Sequence, residues 1–363
     1  MTKLLALALV ALLGAGCASN STGVGYYWQS VTGHLKLMQA ARPVDDWLAD
    51  DAASPTLKQR LENARRIRAF AVSELALPDN ASYHRYADLQ RRAAVYNVVA
   101  APALSLKLET WCFPVAGCVG YRGYFSEADA RAFADSLDPA LEVALYPVQA
   151  YSTLGWMNWA GGDPLLNTFI TYPEGELARI VFHELAHQVV YVQNDTSFNE
   201  SFATTVERLG GARWLARATD QARADYATFD NRRRAFRALT RSTHERLKLI
   251  YDDADLPDDT KLQRKAAAMD DFRQRYATLK ASWNGYAGYD PFVNRANNAS
   301  FAAQAAYDEW VPAFEALFER EGRDFARFYD AVRALASQPK EQRQAALREL
   351  APTTLATSDP VRP

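Results

Sequence analysis

Two histidines and a glutamate stand together in VFHELAHQVV, residues 181–190, as His183-Glu184-Leu185-Ala186-His187. On a helix, positions 183 and 187 lie one turn apart, a rise of about 6 Å, and their side chains leave the same face. Two imidazoles so placed can meet one zinc ion, with the intervening glutamate serving as the base. The neighbours Val181, Phe182 and Leu185 are apolar, so the segment reads as a partly buried helix, and a carboxylate among them needs a partner. A catalytic zinc wants a third protein ligand and an open coordination position. Glu200, in SFNESFATTVERLGG, is the candidate. The polar run QNDTS ahead of it can turn the chain and return a second helix antiparallel to the first, ending at Gly210-Gly211. Ser197-x-x-Glu200 also scans as a capping box; beside a two-histidine site the ligand role is the stronger reading. Thr204 and Glu207 follow at i+4 and i+7, where either could hydrogen-bond a ligand histidine.

Such a set hydrolyses amides. Zinc lowers the pKa of its water to about 7, and Glu184 accepts the proton as the water attacks a carbonyl, then passes it to the leaving amine. A further donor should stabilise the oxyanion, an interaction worth ~3 kcal/mol in comparable sites. Tyr307 is the candidate for that catalytic role, with Tyr286 and Tyr289 behind it. His244, among charges on a helix, reads as solvated; His34 and His84 have no ligand spacing and read as surface or capping residues.

The elements that must hold this set fall into two halves. From residue 24 to 173 the chain mixes helices (GYYWQSVTGHLKLMQAARP, SPTLKQRLENARRIRAFAVSELALP, and a helix capped by Ser126) with short β-branched or aromatic runs: AVYNVVA, LSLKLETW, VGYRGYF, LEVALYPVQAYSTLG and LLNTFITY. From residue 174 onward it is almost wholly helical, with charged amphipathic stretches at 212–250, 259–283 and 298–349. GGARW and LPDD read as turns, WNGYAGYDPFVNRANN as a loop, and the tail from Pro352 as frayed. The expectation is an α+β fold of the zincin-like kind in one domain, residues 17–351, with the site helices at 174–209.

With 41 basic and 43 acidic side chains, a net charge of −2 and 49% hydrophobic residues in 363, the chain fills a sizeable core and carries no electrostatic footprint for nucleic acid. Lys3, the apolar run from Leu4 to Leu13 and the small residues before Cys17 read as a secretory signal, residues 1–16. The run is about half the roughly 20 residues that span a membrane. LLGAGCAS resembles a lipoprotein cleavage box, which makes Cys17 the lipidated first residue of an envelope protein facing the periplasm; Ala18, not Asp, favours the outer membrane. Exported, Cys112 and Cys118 of WCFPVAGC read as a disulfide.

At this point the chain resembles the putative aminopeptidase family of bacteria, lipoprotein-like members of the gluzincin metallopeptidases. The resemblance runs through GYYWQSVTGHLKLM, YNVVAAPALSL, WCFPVAGCVGYRGYF, AYSTLGW, FHELAHQ, FNESFAT and NNASFAAQAAY, in that order. It implies a single zinc held by His183, His187 and Glu200, with Glu184 as base, acting on peptide substrates. FNESFA is similar to the N-E-x-x-A segment of other gluzincins, although only twelve residues separate His187 from Glu200. An exopeptidase must hold a free amine with an anionic group. Asp163, in WAGGDPLL ahead of the strand-like LLNTFITY, is the candidate, and it equally reads as the acid of an Asp-Pro turn. The rival activities are an endopeptidase with one envelope substrate and a catalytically silent peptide-binding lipoprotein.

Overall fold

A computed structural model describes residues 23–113, 117–155, 157–305 and 309–351. The signal segment, Cys17, Tyr307 and the tail from residue 352 lie outside the described residues. Helix α1 (Gly23–Ala40) leads to a short strand β1 (Arg42–Pro43) and helix α2 (Val44–Ala49). Helix α3 (Pro55–Leu75) begins where the Ser54 hydroxyl accepts the Leu57 amide and Pro55 presets the first φ; it stops at Ala76, in the left-handed conformation.

The strands are fewer and shorter than their sequence signals. They are β2 (Arg85–Ala87), β3 (Val95–Pro102), β4 (Trp111–Phe113), β5 (Gly117–Val119), β6 (Arg122–Tyr124), β7 (Leu141–Val148) and β8 (Leu165–Leu166). LSLKLETW is strand only at Trp111, and YSTLG lies in a loop. LLNTFITY is strand for two residues only, because Asn167 accepts the Leu89 amide and donates to the Arg91 carbonyl while Phe169 and Ile170 fold back onto Leu166.

Strand β3 is the centre of an antiparallel sheet ordered β6-β3-β7, paired with β7 from Val95–Val148 to Pro102–Leu141. Alternation along β3 sends Val98 to one face, where helix α4 (Glu127–Asp135, capped by Ser126 as its sequence predicts) brings Phe133. Val99 and Ala101 point to the other face, against Ala299. A second sheet, β1-β2-β8, joins the N-terminal helices to the chain entering the metal-site region, and β4–β5 is a separate hairpin closed by the Cys112–Cys118 disulfide.

Nine helices follow among the described residues: α5 (Glu174–Ala186), α6 (Thr196–Leu215), α7 (Asp220–Asp252), α8 (Asp258–Ser282), α9 (Asp290–Val293), α10 (Asn298–Ala305), α11 (Val311–Arg320), α12 (Phe325–Ala336) and α13 (Lys340–Leu350). The fold is α+β with a helical C-terminal half. Its main core gathers Phe182, Phe198, Phe202, Phe314 and Phe328 from α5, α6, α11 and α12, all essentially without solvent contact. A smaller core, Phe236, Leu247, Phe272 and Tyr276, joins α7 to α8.

Gly210 and Gly211 do not end α6, which continues to Leu215. They let helices touch. A Cβ on Gly210 would come within 2.6 Å of Leu75 and 3.0 Å of Phe182, and one on Gly211 within 2.8 Å of Arg179. Glycine's ordinary cost inside a helix, about 1 kcal/mol against alanine, is accepted here for the contact it permits.

Phe314 packs edge-on against both Phe198 and Phe202 on α6. Phe314→Ala is expected to destabilise the fold by ~3–5 kcal/mol in chemical denaturation, as a buried aromatic truncated in a close-packed core does; a loss under 1 kcal/mol would show that α11 is not integral to this core.

Candidate metal centre

Helices α5 and α6 run antiparallel in tight contact. Glu200 faces His187 and His183, Glu207 faces His183 and Arg179, Gly211 faces Arg179, and Gly175 lies against Leu215. His183 lies in the last turn of α5, and His187 is its C-cap, still in right-handed helical conformation with its amide donating to the His183 carbonyl. The two imidazoles therefore keep the one-turn spacing and present Nε2 to Nε2 at 3.2 Å. The Glu200 Oε2 lies 3.3 Å from His183 Nε2 and 3.8 Å from His187 Nε2. The capping-box reading of Glu200 falls: α6 starts at Thr196, its N-cap is Asp195, and it is the Asp195 carboxylate that accepts the Phe198 amide.

Two nitrogens and a carboxylate oxygen thus converge on one point. Tetrahedral zinc with ligands at about 2.0–2.1 Å separates its donor atoms by roughly 3.3 Å, and this triangle has that size. The ring orientation agrees: His183 Nδ1 meets the Glu207 carboxylate at 3.1 Å, a bond that would keep the proton on Nδ1 and leave Nε2 as the ligand atom when a metal is bound. The set fits zinc as three of its four ligands.

The charges around that point are unbalanced. Burial opposes a charged imidazole at His183, yet the Glu200 and Glu207 carboxylates hold its pKa well above the ordinary value. Burial pushes His187 down to about 4. Glu200 is largely withdrawn from solvent, which by itself favours the neutral acid, but the two histidines keep its pKa below the usual carboxylate range. Glu207 is driven to about 2 against its burial, by Arg179 first and then His183. Glu184 is pushed up to about 7 by burial, with His183 opposing and Glu200 and Asp163 adding to the shift. Three acids thus crowd the two rings, and the positive charge drawn to that point is a proton on His183, a place that a divalent cation could take.

Support comes from residues with no motif to announce them. Arg179, one turn before His183 and 3% exposed, binds Glu207, the Tyr226 hydroxyl at 3.0 Å and Asp230 at 3.5 Å, so Glu207 is held while it holds His183. Thr204 is buried on the same helix; the histidine contact expected of Thr204 or Glu207 is made by Glu207. The connection between the two ligand segments is pinned at both ends. Asn199 exchanges hydrogen bonds with both backbone groups of Val192, and Asp195 pairs with the buried Arg343 of α13 at 2.7 Å. The disulfide hairpin reaches the same connection: the Cys118 amide donates to the Asn194 side chain at 2.6 Å.

A model of the family described as "Putative aminopeptidase" matches residues 25–347. The chain belongs to that family. No curated protein and no solved structure matches the chain. The family match spans all seven of the stretches quoted above, and it makes a peptide-hydrolysing enzyme the frame in which the site is read.

The other candidates from the sequence land as follows. Asp163 is 1% exposed; both carboxylate oxygens accept the Thr153 amide, at 3.0 and 3.1 Å, and Ser152 lies 3.5 Å away. Ser152 also bonds the Glu184 carboxylate, so the two acids share a hydroxyl. Tyr289 stacks on Phe236 with ring centroids 4.0 Å apart, and Tyr286 lies under Arg232, both packing roles. His34 meets the Tyr151 hydroxyl at 3.2 Å and His84 is exposed. His244 is half-buried rather than solvated, because its turn of α7 also buries Thr243 and Leu247; it lines a cavity of about 720 Å³ with Tyr121, Tyr146, Ser197 and Phe301. Tyr121 and Tyr146 are residues that the sequence did not single out. Burial raises both hydroxyl pKa values, that of Tyr146 to about 12, and the charge of Glu200 adds to each. Their aromatic alternation in strand-like runs carried no chemical signal.

Glu207→Gln is expected to weaken zinc binding ten- to a hundredfold, the usual cost of losing a carboxylate behind a ligand histidine, and Glu200→Gln is expected to weaken it further. Competition with a chromogenic chelator measures both; wild-type affinity in Glu207→Gln would confine Glu207 to its pairing with Arg179.

Proposed function

We propose that the protein is a zinc-dependent aminopeptidase of the bacterial cell envelope, lipid-anchored through Cys17. The observation that carries the reading is the convergence of His183, His187 and Glu200 on one point with Glu184 on the same helix, in a chain of an aminopeptidase family. Zinc bound there would polarise the substrate carbonyl and make a water acidic enough to attack it. Glu184 accepts that water's proton and delivers it to the leaving amine, with the Ser152 hydroxyl fixing its carboxylate. The cavity lined by Ser197, Tyr121 and Tyr146 has the volume for a short peptide, and those two tyrosines, both close enough to feel the Glu200 charge, are candidate hydroxyl donors to the oxyanion. Tyr307 keeps the same candidacy from the sequence. A binding module has no need for the base, which weighs against a silent peptide-binding role.

The test compares matched peptides with free and acetylated N-termini, followed by mass spectrometry, using wild type and Glu184→Gln with their zinc content measured. Loss of one terminal residue from the free peptides alone, abolished by chelation and reduced at least a thousandfold in the variant, is the expected result. Internal cleavage of both sets would make the enzyme an endopeptidase, and no cleavage with zinc bound would leave a binding role.

For the substrate's free amine we assign Asp163, joined to Glu184 through Ser152. Asp163→Asn keeps an oxygen for the Thr153 amide and removes only the charge, so it is expected to raise KM for free-amine peptides by about tenfold, the scale of one charged hydrogen bond, with the fold unchanged. An unaltered KM would leave Asp163 as the anchor of its loop.

A further inference from the structure

Helix α1 has two faces. One is buried against the sheet region: Tyr26 stacks on Phe113 and meets Tyr124 edge-on, Arg122 lies over Tyr26, Leu37 is 1% exposed, and Gly33 lies so close to Phe125 that a Cβ would clash with its ring. The other face carries Tyr27, Trp28, Val31 and Leu35, exposed by 43, 72, 54 and 50%. Four of the seven large hydrophobic side chains exposed among the described residues are on this one helix. At 100° per residue they fall within an arc of about 100°, over a length of about 12 Å. Lys36 lies outside that arc. A continuous apolar stripe on a protein surface marks a partner.

We propose that this stripe lies in the surface of a phospholipid bilayer, seating the body of the enzyme against the membrane. This rests on the reading of Cys17 as the lipid-bearing residue. Cys17 precedes Gly23 by six positions, and six residues span at most about 20 Å, so acyl chains on Cys17 keep the first turn of α1 within reach of the headgroups. The stripe has the composition of that zone: Trp and Tyr bring amphipathic rings that favour the interface, and Val31 and Leu35 bring aliphatic area to the acyl boundary. The segment between, Ala-Ser-Asn-Ser-Thr, is polar and short, a tether rather than a spacer that would lift the enzyme clear. Acyl anchoring alone leaves a protein free to rotate on its tether; a docked helix fixes which face meets the membrane.

The full chain, purified from bacterial membranes, is reconstituted into phosphatidylethanolamine–phosphatidylglycerol vesicles with brominated acyl chains. Tryptophan quenching is then compared between wild type and Trp28→Phe. Trp28 is one of eight tryptophans, so the expected result is that roughly an eighth of the wild-type emission is strongly quenched and that this quenched part is missing from Trp28→Phe. Equal quenching of the two overturns the proposal. The N-terminal mass, measured on the same samples, reports the lipid separately. Acyl chains on Cys17 with Trp28 unquenched would refute the docked face and keep the anchor, whereas a quenched Trp28 without acyl chains would refute the anchor and keep the face. Trp28 shielded in a dimer that Trp28→Ser dissolves would give the stripe to a second copy, and Trp28 shielded with residues 1–16 still attached would give it to the signal segment; either result counts against the bilayer.

Discussion

The site depends on how closely two antiparallel helices approach. Donors from α5 and α6 form a triangle with edges of 3.2 to 3.8 Å only if the helices sit in backbone-near contact, and Gly210 and Gly211 are what allow it. Any side chain at either position would drive α6 away from Phe182 and Arg179, residues one position before His183 and one turn before it. An ångström of separation at the glycines becomes an ångström at Glu200, because a helix transmits displacement rigidly. Packing of the aromatic core on the far side of α6, Phe198 and Phe202 against Phe314, presses in the same direction.

Electrostatics then explains why so many acids are tolerated in so little space. Glu184, Glu200 and Glu207 are all largely withdrawn from solvent, and desolvation works against each as an anion. Arg179 meets part of that cost for Glu207 and is itself surrounded by Glu176, Asp230 and the Tyr226 hydroxyl. No arginine or lysine faces Glu200 in the described contacts; its partners are the two imidazoles. Glu207 is held by Arg179 while it holds His183, and Glu200 and the two Nε2 atoms converge on the place that a metal ion could occupy.

Much of this was legible in the sequence where chemistry follows from local spacing. The one-turn interval of His183 and His187 needs only helix geometry, and Glu207 follows from Glu200 by the same periodicity. Gly210-Gly211 was misread as a stop because a glycine pair signals both a helix end and a helix contact, and only the neighbour, Leu75 or Arg179, separates the two. Asn167 and its turn cut short a segment whose apolar alternation reads as strand, since side-chain bonds to the backbone compete with sheet pairing. The Asp195–Arg343 pair, 148 positions apart, and the approach of Tyr121 and Tyr146 to Glu200 have no local signature at all. Long-range placement was what the sequence withheld.

The short connection between His187 and Glu200 is the feature that ties the rest of the molecule to the chemistry. Twelve residues must reverse the chain and set the register of α6, since a slip of one residue would rotate Glu200 by about 100° away from the histidines. Three separate parts of the fold hold that turn: Asn199 clasps Val192 from within α6, the Arg343 guanidinium of the last helix grips Asp195 at the α6 N-cap, and the disulfide-closed β4–β5 hairpin bonds Asn194. The disulfide is therefore more than a local staple, because a hairpin that keeps its shape offers Asn194 a fixed backbone donor. It also explains why a C-terminal helix so distant in sequence belongs to the same body as the metal-site helices. Without the Arg343 contact, the buried Asp195 carboxylate would lose its ion-pair partner while still being required to start the helix that carries Glu200.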